Sequence, residues 1–301
     1  MSTELPLWRS LLYVPVTVEK YVDKAHTRGA DCIQLDLEDS VPASEKEYAR
    51  AQVEAAARRV RVGGADVVVR VNRPLSMAVR DIEASVGEAV NGLAITKVQS
   101  ASHLRLLDEL VSELELRRGL PIGHTRLIAM IESAAAFFRM PAIAASTARL
   151  VAMSIGGEDL ALESGMEPTE QTLLMPKQQM ILAARSAGLM PLGFIASVSS
   201  FGDRDAFRAM VHRSRQFGFM GASCIHPGQV PIVNQEYSPS EEEVAYATRV
   251  VNENARAEAV GHGSFAIDGQ MIDAPVVRRA CRLLERHGAF RAREARAAQI
   301  R

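Results

Sequence analysis

The sequence contains few cysteines, and none is placed for a disulfide framework or a metal cluster. Cys32, Cys224 and Cys281 are odd in number and lie far apart, which is typical of a protein from a reducing compartment. Long apolar runs are missing too, and the first ten residues, MSTELPLWRS, lack the apolar region of a secretory signal. We therefore expect a cytoplasmic protein without a membrane partner.

An excess of charge of either sign is also absent. The formal net charge is −1, so neither nucleic acid nor an anionic membrane is expected as a partner. The hydrophobic and charged fractions, 48% and 24%, are ordinary for a soluble globular protein. The 301 residues suffice for one large domain, and about 250 residues is typical of a (β/α)8 barrel.

Eight short apolar segments alternate with segments of helical length. The predicted strands cover residues 10–14, 32–37, 67–72, 93–98, 127–131, 150–155, 192–196 and 222–225. Alternation of this kind implies parallel strands that are joined by helical crossovers. Eight such strands favour a closed barrel over an open sheet, because closure removes the exposed edges. The sequence therefore predicts an α/β fold, a (β/α)8 TIM barrel.

The segments between the strands carry helix signals. Helices are predicted over residues 18–28, 45–60, 81–90, 101–118, 169–187 and 203–217. Pro176 lies inside the fifth of these, so a kink or break is expected there. Residues 240–259 begin with acids, as the helix dipole favours, and are predicted as the eighth barrel helix. We expect residues 1–238 to form the barrel core. Residues 239–301 would add that helix and a C-terminal helix over 275–298, in a single domain overall.

Two acidic residues follow neighbouring strands of the predicted barrel. Glu132 comes directly after the fifth strand, and Asp159 follows the sixth. Active sites of such barrels lie at the carboxyl ends of the strands, and two carboxylates meeting there repel each other unless a cation lies between them. Oxygen ligands of this kind suit Mg²⁺. The alternatives are that Glu132 only interacts with a helix dipole, and that Asp159 or its neighbour Glu158 is a solvated loop acid.

A second group of charged residues interrupts the other apolar strands. Arg70 lies among valines, where it needs a partner: either an ion pair with an acid at the same edge, or a substrate carboxylate or enolate oxygen. Asp36 and Glu38 share one face of the second strand. They could orient Arg70 or metal-bound water, or form structural pairs. Lys97 ends the fourth strand and could balance these acids.

Two lysines and a histidine lie near the ends of other strands. Lys20 and Lys24 are four residues apart, so they share one face of the first helix. Two cations there suit a phosphate-bearing ligand, although a solvated face explains the spacing equally well. His226 follows the eighth strand, where either a capping role or a substrate contact fits its position.

Several longer motifs occur in one collinear order along nearly the whole chain. They are RSLLYVP (9–15), DCIQLDLEDSV (31–41), VRVN (69–72), IES (131–133), GGEDLA (156–161), GFMGASCIHPGQV (218–230) and DGQMIDAPVV (268–277). In this combination the chain resembles the citrate lyase beta-subunit-like branch of the HpcH/HpaI aldolase superfamily, which includes malyl-CoA and citramalyl-CoA lyases. The resemblance implies a Mg²⁺-dependent (β/α)8 barrel, with Mn²⁺ as a possible substitute, that assembles as a homotrimer or hexamer.

The resemblance also implies a role for each matching residue. Glu132 and Asp159 would be the metal ligands, with Glu132 also in contact with substrate. Arg70 would clamp the substrate carboxylate and carbonyl. Asp273, in the Met-Ile-Asp motif, would be a catalytic acid or base that the C-terminal extension delivers to a neighbouring subunit. The residues matched to acyl-CoA contacts are Tyr13, Lys20, Lys24, Ile225, His226 and Pro227.

The expected activity is the cleavage or formation of a carbon–carbon bond in a β-hydroxyacyl-CoA such as malyl-, citramalyl- or citryl-CoA. The products would be an α-oxo acid (glyoxylate, pyruvate or oxaloacetate) and a shorter acyl-CoA. The alternatives are a malyl-CoA thioesterase, an aldolase of free hydroxy-oxo acids and a protein that binds acyl-CoA without turnover. The chain departs from the family pattern at Val16, at residues 174–176 and over 192–203, which leaves the acyl group and its carrier open.

Overall fold

The computed structural model describes residues 5–197, 203–259, 261 and 263–300. The chain divides into two compact units, Met1–Tyr237 and Ser238–Arg301. Part of the predicted departure over 192–203 lies outside the described residues.

The first unit is built on one parallel sheet of eight strands. The strands are β1 (Ser10–Pro15), β2 (Cys32–Asp36), β3 (Asp66–Val71), β4 (Gly92–Ile95), β5 (Arg126–Ile131), β6 (Leu150–Ile155), β7 (Met190–Leu192) and β8 (Ala222–Cys224). Their spatial order is β7-β6-β5-β4-β3-β2-β1-β8. A bridge between Leu192 and Gly221 joins the two ends, where the Met220 N–H donates to Pro191 O and the Gly193 N–H donates to Gly221 O, both at 2.9 Å. The predicted (β/α)8 barrel is therefore confirmed.

Ten α-helices of the described residues accompany these strands. They are α1 (Glu19–Ala25), α2 (Lys46–Val60), α3 (Leu75–Ser85), α4 (Ala101–Arg117), α5 (Ala134–Phe137), α6 (Met140–Ala144), α7 (Gly157–Ser164), α8 (Glu170–Ser186), α9 (Arg204–Phe217) and α10 (Val230–Glu236). Short 3-10 turns cover Ala43–Glu45, Arg61–Gly63 and Pro227–Gln229.

The strands bury both of their faces, which is why they read as nearly continuous apolar runs. In β3, Val67, Val69 and Val71 belong to the large core between the sheet and the helices. Val68 belongs instead to the core inside the barrel. Because side chains alternate along a strand, Arg70 lies on the same inner face as Val68.

Three element boundaries differ from the prediction. Strand β4 ends at Ile95, because Lys97 has a left-handed backbone (φ 49°) that a strand cannot include. Strand β7 ends at Leu192, since Gly193 has φ 141°. Helix α3 covers Leu75–Ser85 rather than 81–90: it starts directly after Pro74, and the apolar Val86–Val90 stretch packs into the core as a loop.

The structure contradicts a break at Pro176 and the predicted position of the eighth barrel helix. Helix α8 continues without a break through Pro176, which lies on its buried face; packing of this helix outweighs the one hydrogen bond that proline cannot form. The eighth barrel helix is α10, which packs on β1 and α9. Residues 240–259 instead belong to the second unit. Helix α10 is short and begins with Val230-Pro231, so it was not predicted from the sequence.

The second unit contains two helices and a hairpin. The helices are α11 (Glu241–Ala259) and α12 (Ala274–Ile300), and the hairpin joins β9 (Phe265–Ile267) to β10 (Gln270–Ile272) in antiparallel pairing. Asp268 and Gly269 form its two-residue turn with φ 49° and 79°, as an Asp-Gly hairpin turn requires. The core of the second unit includes Val250, Ile267 and Ile272. Within the described residues of both units, every helix is too short or too polar to span a bilayer.

Barrel closure predicts a sharp cost for adding one methyl group at Gly221. An alanine Cβ there would lie 1.9 Å from Trp8 O and 2.9 Å from Arg9 O, and these backbone atoms cannot move without shifting β1. We expect Gly221→Ala to lower the free energy of unfolding by at least about 2 kcal/mol in urea denaturation.

Gly87→Ala is the matched control, because a Cβ there would meet no atom within 4 Å. Its free energy of unfolding should stay unchanged or rise by about 0.5 kcal/mol. Equal stability of the two variants would contradict the close approach of the chain before β8 to β1.

Candidate active site

The carboxyl ends of the strands enclose a cavity of about 280 Å³. Its ionisable lining residues are Tyr13, Asp39, Arg70, Glu132, Glu158, Asp159 and Lys177. Most of them were singled out in the sequence because they follow or interrupt apolar strands. The barrel therefore gathers charged groups that are scattered over more than 160 positions of the chain.

Arg70 is held by the acids of β2 and of the loop that follows it. Its Nε and Nη2 donate to Oδ1 and Oδ2 of Asp36 at 2.7 and 2.8 Å, and its Nη1 lies 2.8 Å from Oε2 of Glu38. The guanidinium also stacks 4.8 Å from the ring centre of Tyr13. Burial alone would raise the pKa of Asp36, but the hydrogen bonds and charge of Arg70 hold that pKa below its ordinary value. Arg70, Asp36 and Glu38 thus form one rigid ion-pair group.

Glu132 and Asp159 flank the Lys97 ammonium, which also contacts Glu38. Lys97 Nζ lies 3.1 Å from Oε1 of Glu38, 3.4 Å from Oδ1 of Asp159 and 3.9 Å from Oε2 of Glu132. The side chain of Glu132 is only 3% exposed, yet within the described residues neither Glu132 nor Asp159 accepts a hydrogen bond. The two acids are therefore close to one cation without being satisfied by it.

The pKa of Glu132 reflects this shortage of positive charge. Burial is the main cause and the negative charge of Asp159 the second, and together they raise the pKa of Glu132 to about 8 against the opposing charge of Lys97. A divalent cation between the two carboxylates would remove the repulsion. No group of three or more His, Cys, Asp or Glu side chains in the described part of the chain could hold a metal ion. Two carboxylates suit Mg²⁺, which keeps several water ligands, better than a closed zinc site.

Local structure explains why these two acids face the cavity. Glu132 lies between the end of β5 and Ser133, whose side chain caps α5 by accepting from the Ala136 N–H at 3.1 Å. Gly156 lies so close that a Cβ there would be 2.6 Å from Cγ of Glu132. Asp159 is in the first turn of α7, and its neighbour Glu158, which lines the same cavity, accepts from the Ser197 hydroxyl at 2.6 Å.

Lys177 was missed by the sequence analysis although it lines the same cavity. It is only 5% exposed, and its Nζ donates to Ala196 O at 2.9 Å. Burial lowers its pKa to about 8, against the opposing charges of Glu158 and Glu170. The helical spacing could have indicated this buried lysine, because position 177 lies on the buried face of α8 together with Leu173 and Met180.

A second cavity of about 730 Å³ opens beside the first and shares Tyr13, Asp39 and Arg70 with it. Its lining includes Lys24, and the three residues Ile225, His226 and Pro227 that follow β8. The structure thus brings together most of the residues that the resemblance assigned to acyl-CoA. Arg28, which also lines this cavity, was not predicted.

Two predicted residues differ in their surroundings from the rest of this group. Lys20 does not line the second cavity; it is exposed, with its Nζ 5.1 Å from the ring centre of Tyr21. His226 caps the 3-10 turn after β8, since its Nδ1 accepts from the Gly228 N–H at 3.0 Å. Its capping role and its place at the cavity are therefore compatible.

Asp273 is carried by the second unit, directly after β10. Its Oδ1 accepts from the Val276 N–H at 3.4 Å, at the start of α12. The side chain of Asp273 is therefore held at the N-terminus of α12.

Comparisons with known proteins agree with this arrangement. The family model described as HpcH/HpaI aldolase/citrate lyase matches residues 9–227. The citrate lyase subunit beta of Leuconostoc mesenteroides subsp. cremoris is 33% identical over 282 residues, which is 93% of either chain. Two proteins of Cereibacter sphaeroides are also similar. The (3S)-malyl-CoA thioesterase is 33% identical over 91% of this chain and 92% of its own. The L-malyl-CoA/beta-methylmalyl-CoA lyase is 30% identical over 90% and 92%.

A solved structure of similar fold holds ligands of the expected kind. It is the protein CitE of Mycobacterium tuberculosis in complex with magnesium, acetoacetate and coenzyme A, which superposes with a TM-score of 0.74 at 28% identity. The match covers 96% of this chain and all of that one.

The lowered pKa of Lys177 predicts that this residue destabilises the fold. Its pKa falls from 10.5 to about 8, so the cost of the buried charge is fully present below pH 8 and disappears as pH rises from there to 10.5. A pKa change of this size corresponds to about 3 kcal/mol in the free energy of unfolding. Loss of the hydrogen bond to Ala196 would offset about 1 kcal/mol of that gain. We expect Lys177→Met to raise the free energy of unfolding at pH 7 by about 2 kcal/mol.

The measurement is urea denaturation at pH 7 and pH 10, and the gain should be smaller at pH 10. Lys20→Met is the control, because this lysine is exposed and its removal should change the free energy of unfolding little at either pH. A loss of stability in Lys177→Met at pH 7 would contradict the prediction.

Proposed function

The chain belongs to the HpcH/HpaI aldolase/citrate lyase family, and we propose that it is a Mg²⁺-dependent carbon–carbon lyase of β-hydroxyacyl-CoA thioesters. Malyl-, citramalyl- and citryl-CoA are the substrates considered, and the products would be an α-oxo acid and a shorter acyl-CoA. The observation that carries the proposal is the pair Glu132 and Asp159. These carboxylates lack hydrogen-bond donors among the described residues, and they line the same cavity as the clamped guanidinium of Arg70.

Glu132 and Asp159 would hold the metal ion through their carboxylate oxygens. The ion would supply a Lewis acid and a template for the α-oxo acid half of the substrate. Magnesium is bound by the CitE protein of M. tuberculosis, and oxygen ligands would also accept Mn²⁺. Lys97, which already lies near Glu38, would keep the remaining negative charge of this edge balanced.

Arg70 is proposed to stabilise the charge that develops on the substrate oxygens. Asp36 and Glu38 fix its guanidinium before the substrate arrives, so little reorganisation is needed during the reaction. Its five N–H donors leave capacity for a substrate oxygen beside these acids. One such preorganised donor is worth about 3 kcal/mol in a transition state.

Asp273 is proposed as the general base for cleavage, delivered to the site of a neighbouring subunit in a homotrimer or hexamer. Its carboxylate would accept the proton of the β-hydroxyl group. The carbon–carbon bond then breaks, the hydroxyl-bearing carbon becomes the carbonyl of the oxo acid, and the electron pair passes to the thioester enolate. The enolate takes up the proton from Asp273, which yields the shorter acyl-CoA.

The larger cavity is proposed to bind the CoA portion of the substrate. Lys24 and Arg28 supply positive charge for phosphate groups, and Tyr13 separates this cavity from the metal site. Ile225, His226 and Pro227 would line the thioester. Lys20 would contribute only through the charge of the exposed helix face. The proposed cellular location is the cytoplasm.

A thioesterase is the second candidate, because a (3S)-malyl-CoA thioesterase is among the similar proteins. The same metal and arginine would then stabilise the attack of water on the thioester carbonyl. The two activities differ in which bond breaks, so their products distinguish them.

We predict that the protein with Mg²⁺ releases an α-oxo acid and a shorter acyl-CoA from at least one member of a panel of acyl-CoA thioesters. The panel contains the (S) and (R) forms of malyl-, citramalyl-, methylmalyl- and citryl-CoA, and the products are identified by mass spectrometry. Removal of the metal with EDTA should abolish release, and added Mg²⁺ should restore it. Stoichiometric hydroxyacid and free CoA would establish the thioesterase instead.

We expect Arg70→Ala and Asp273→Ala each to reduce turnover at least about 100-fold. Thermal unfolding should show that both variants stay folded, and Arg70→Lys is added because it keeps the charge that Asp36 requires. Near-normal turnover in either alanine variant would refute the role assigned to that residue.

Mixing subunits tests the delivery of Asp273 across an interface. Glu132→Gln and Asp273→Ala subunits are each expected to be inactive alone. Co-expressed, they would form some sites with an intact Glu132 and a neighbour's intact Asp273, and these should recover a fraction of wild-type activity. Absence of recovery in verified mixed oligomers would place Asp273 in its own subunit's site.

A further inference from the structure

The small cavity contains a cation that the proposed mechanism does not use. Of the basic residues near the metal pair, Arg70 is bound by Asp36 and Glu38, and Lys97 lies among three carboxylates. Lys177 differs from both, because no carboxylate of the described residues lies within ion-pair distance of it.

Among the residues that the structure describes, Lys177 uses only part of its hydrogen-bonding capacity. An ammonium has three N–H donors, and the hydrogen bond to Ala196 O occupies one of them. Glu158 acts on the lysine only through its charge, and its carboxylate is engaged with the Ser197 hydroxyl. A buried ammonium without an anionic partner is unfavourable, so a fold gains nothing from it unless a ligand supplies the anion.

The ammonium lines the same cavity as the metal pair. Gly156 and Gly157 are consecutive residues between β6 and the first turn of α7. A Cβ on Gly156 would be 2.6 Å from Cγ of Glu132, and a Cβ on Gly157 would be 3.8 Å from Nζ of Lys177. The backbone therefore passes beside Glu132 at Gly156 and beside Lys177 at Gly157, and both side chains line one cavity.

The three oxo acids considered as products differ in one substituent, and the charge of that substituent determines whether a buried cation can bind it. Glyoxylate, pyruvate and oxaloacetate share the carboxylate and carbonyl that the metal and Arg70 would bind. They differ in the third substituent, which is hydrogen, methyl or a carboxymethyl group. Only the carboxymethyl group brings a second negative charge into the cavity, and hydrogen or methyl would leave the ammonium buried and unpaired.

We propose that Lys177 is a specificity-determining residue that binds a second carboxylate on the oxo-acid half of the substrate. The favoured thioesters are then those, such as citryl-CoA, whose cleavage gives a dicarboxylic oxo acid. This inference rests on the proposed lyase function and adds the substrate class to it. Burial lowers the pKa of Lys177 to about 8, so the ammonium form predominates at neutral pH.

Citryl-CoA and citramalyl-CoA test the inference as a matched pair, because they differ by this one carboxylate. For Lys177→Met we expect kcat/KM on citryl-CoA to fall about 100-fold, the usual effect of losing a charge-assisted hydrogen bond in a buried site. On citramalyl-CoA, kcat/KM should change less than about 3-fold. Equal losses on both substrates, or no loss on either, would overturn the proposal.

Two further variants separate the charge of Lys177 from its structural contact with Ala196. Lys177→Arg keeps the cation and should retain the preference for citryl-CoA. Ser197→Ala removes the neighbouring hydrogen bond to Glu158 while leaving the cation in place, so it should affect both substrates equally. A loss of preference in Ser197→Ala alone would assign the selectivity to the segment after β7 instead.

Calorimetry measures ligand binding without turnover, so it tests the role of Lys177 independently of the lyase activity. In Mg²⁺ buffer, wild type should bind (S)-malate, which has a second carboxylate, at least about 10-fold more tightly than (S)-lactate. Lys177→Met should lose this difference while its affinity for lactate is retained. If wild type cleaves no thioester but shows this binding pattern, the lyase proposal fails and the role of Lys177 stands. Equal binding of the two acids by wild type would refute that role.

Discussion

A buried carboxylate and a partly exposed one at the same end of the barrel, Glu132 and Asp159, impose the condition on which the rest of the site depends. Glu132 and Asp159 face the same small cavity, and the burial that raises the pKa of Glu132 also strengthens their repulsion. Lys97 lies 3.4 and 3.9 Å from their oxygens, which is too far for short hydrogen bonds. A divalent ion with oxygen ligands between the two carboxylates would relieve this repulsion.

The basic residues around the cavity are held in ways that suit different tasks. Arg70 is fixed by Asp36 and Glu38, so its donors keep one direction whatever enters the cavity. Lys97 balances the acids of the metal pair. Lys177 is anchored by one carbonyl group and otherwise lacks an anionic partner among the described residues. The fixed guanidinium of Arg70 suits negative charge that develops during a reaction. The ammonium of Lys177 suits a negative charge that the substrate already carries.

The alternation of apolar strands with helical segments was sufficient to predict the barrel, because closure of eight parallel strands follows from general packing rules. The positions and bounds of individual helices were harder to predict from the sequence. The third helix was misplaced because Pro74 starts it earlier than its apolar spacing indicates, and α10 was missed because seven residues carry little periodicity. Pro176 did not break α8, since tertiary packing outweighs a local preference. Lys177 was not predicted because it lies within a helix and not at the end of a strand.

The sequence by itself determined the fold class, the family and the set of charged residues at the carboxyl ends of the strands, because these depend on periodicity and on order along the chain. Only the tertiary structure decided which of them meet. It paired Arg70 with Asp36 and Glu38, engaged Glu158 with the Ser197 hydroxyl, and brought Lys177 from the middle of a helix to the wall of the same cavity. The physical reason is that burial and distances of a few ångströms set these interactions, and neither can be read from spacing in the chain.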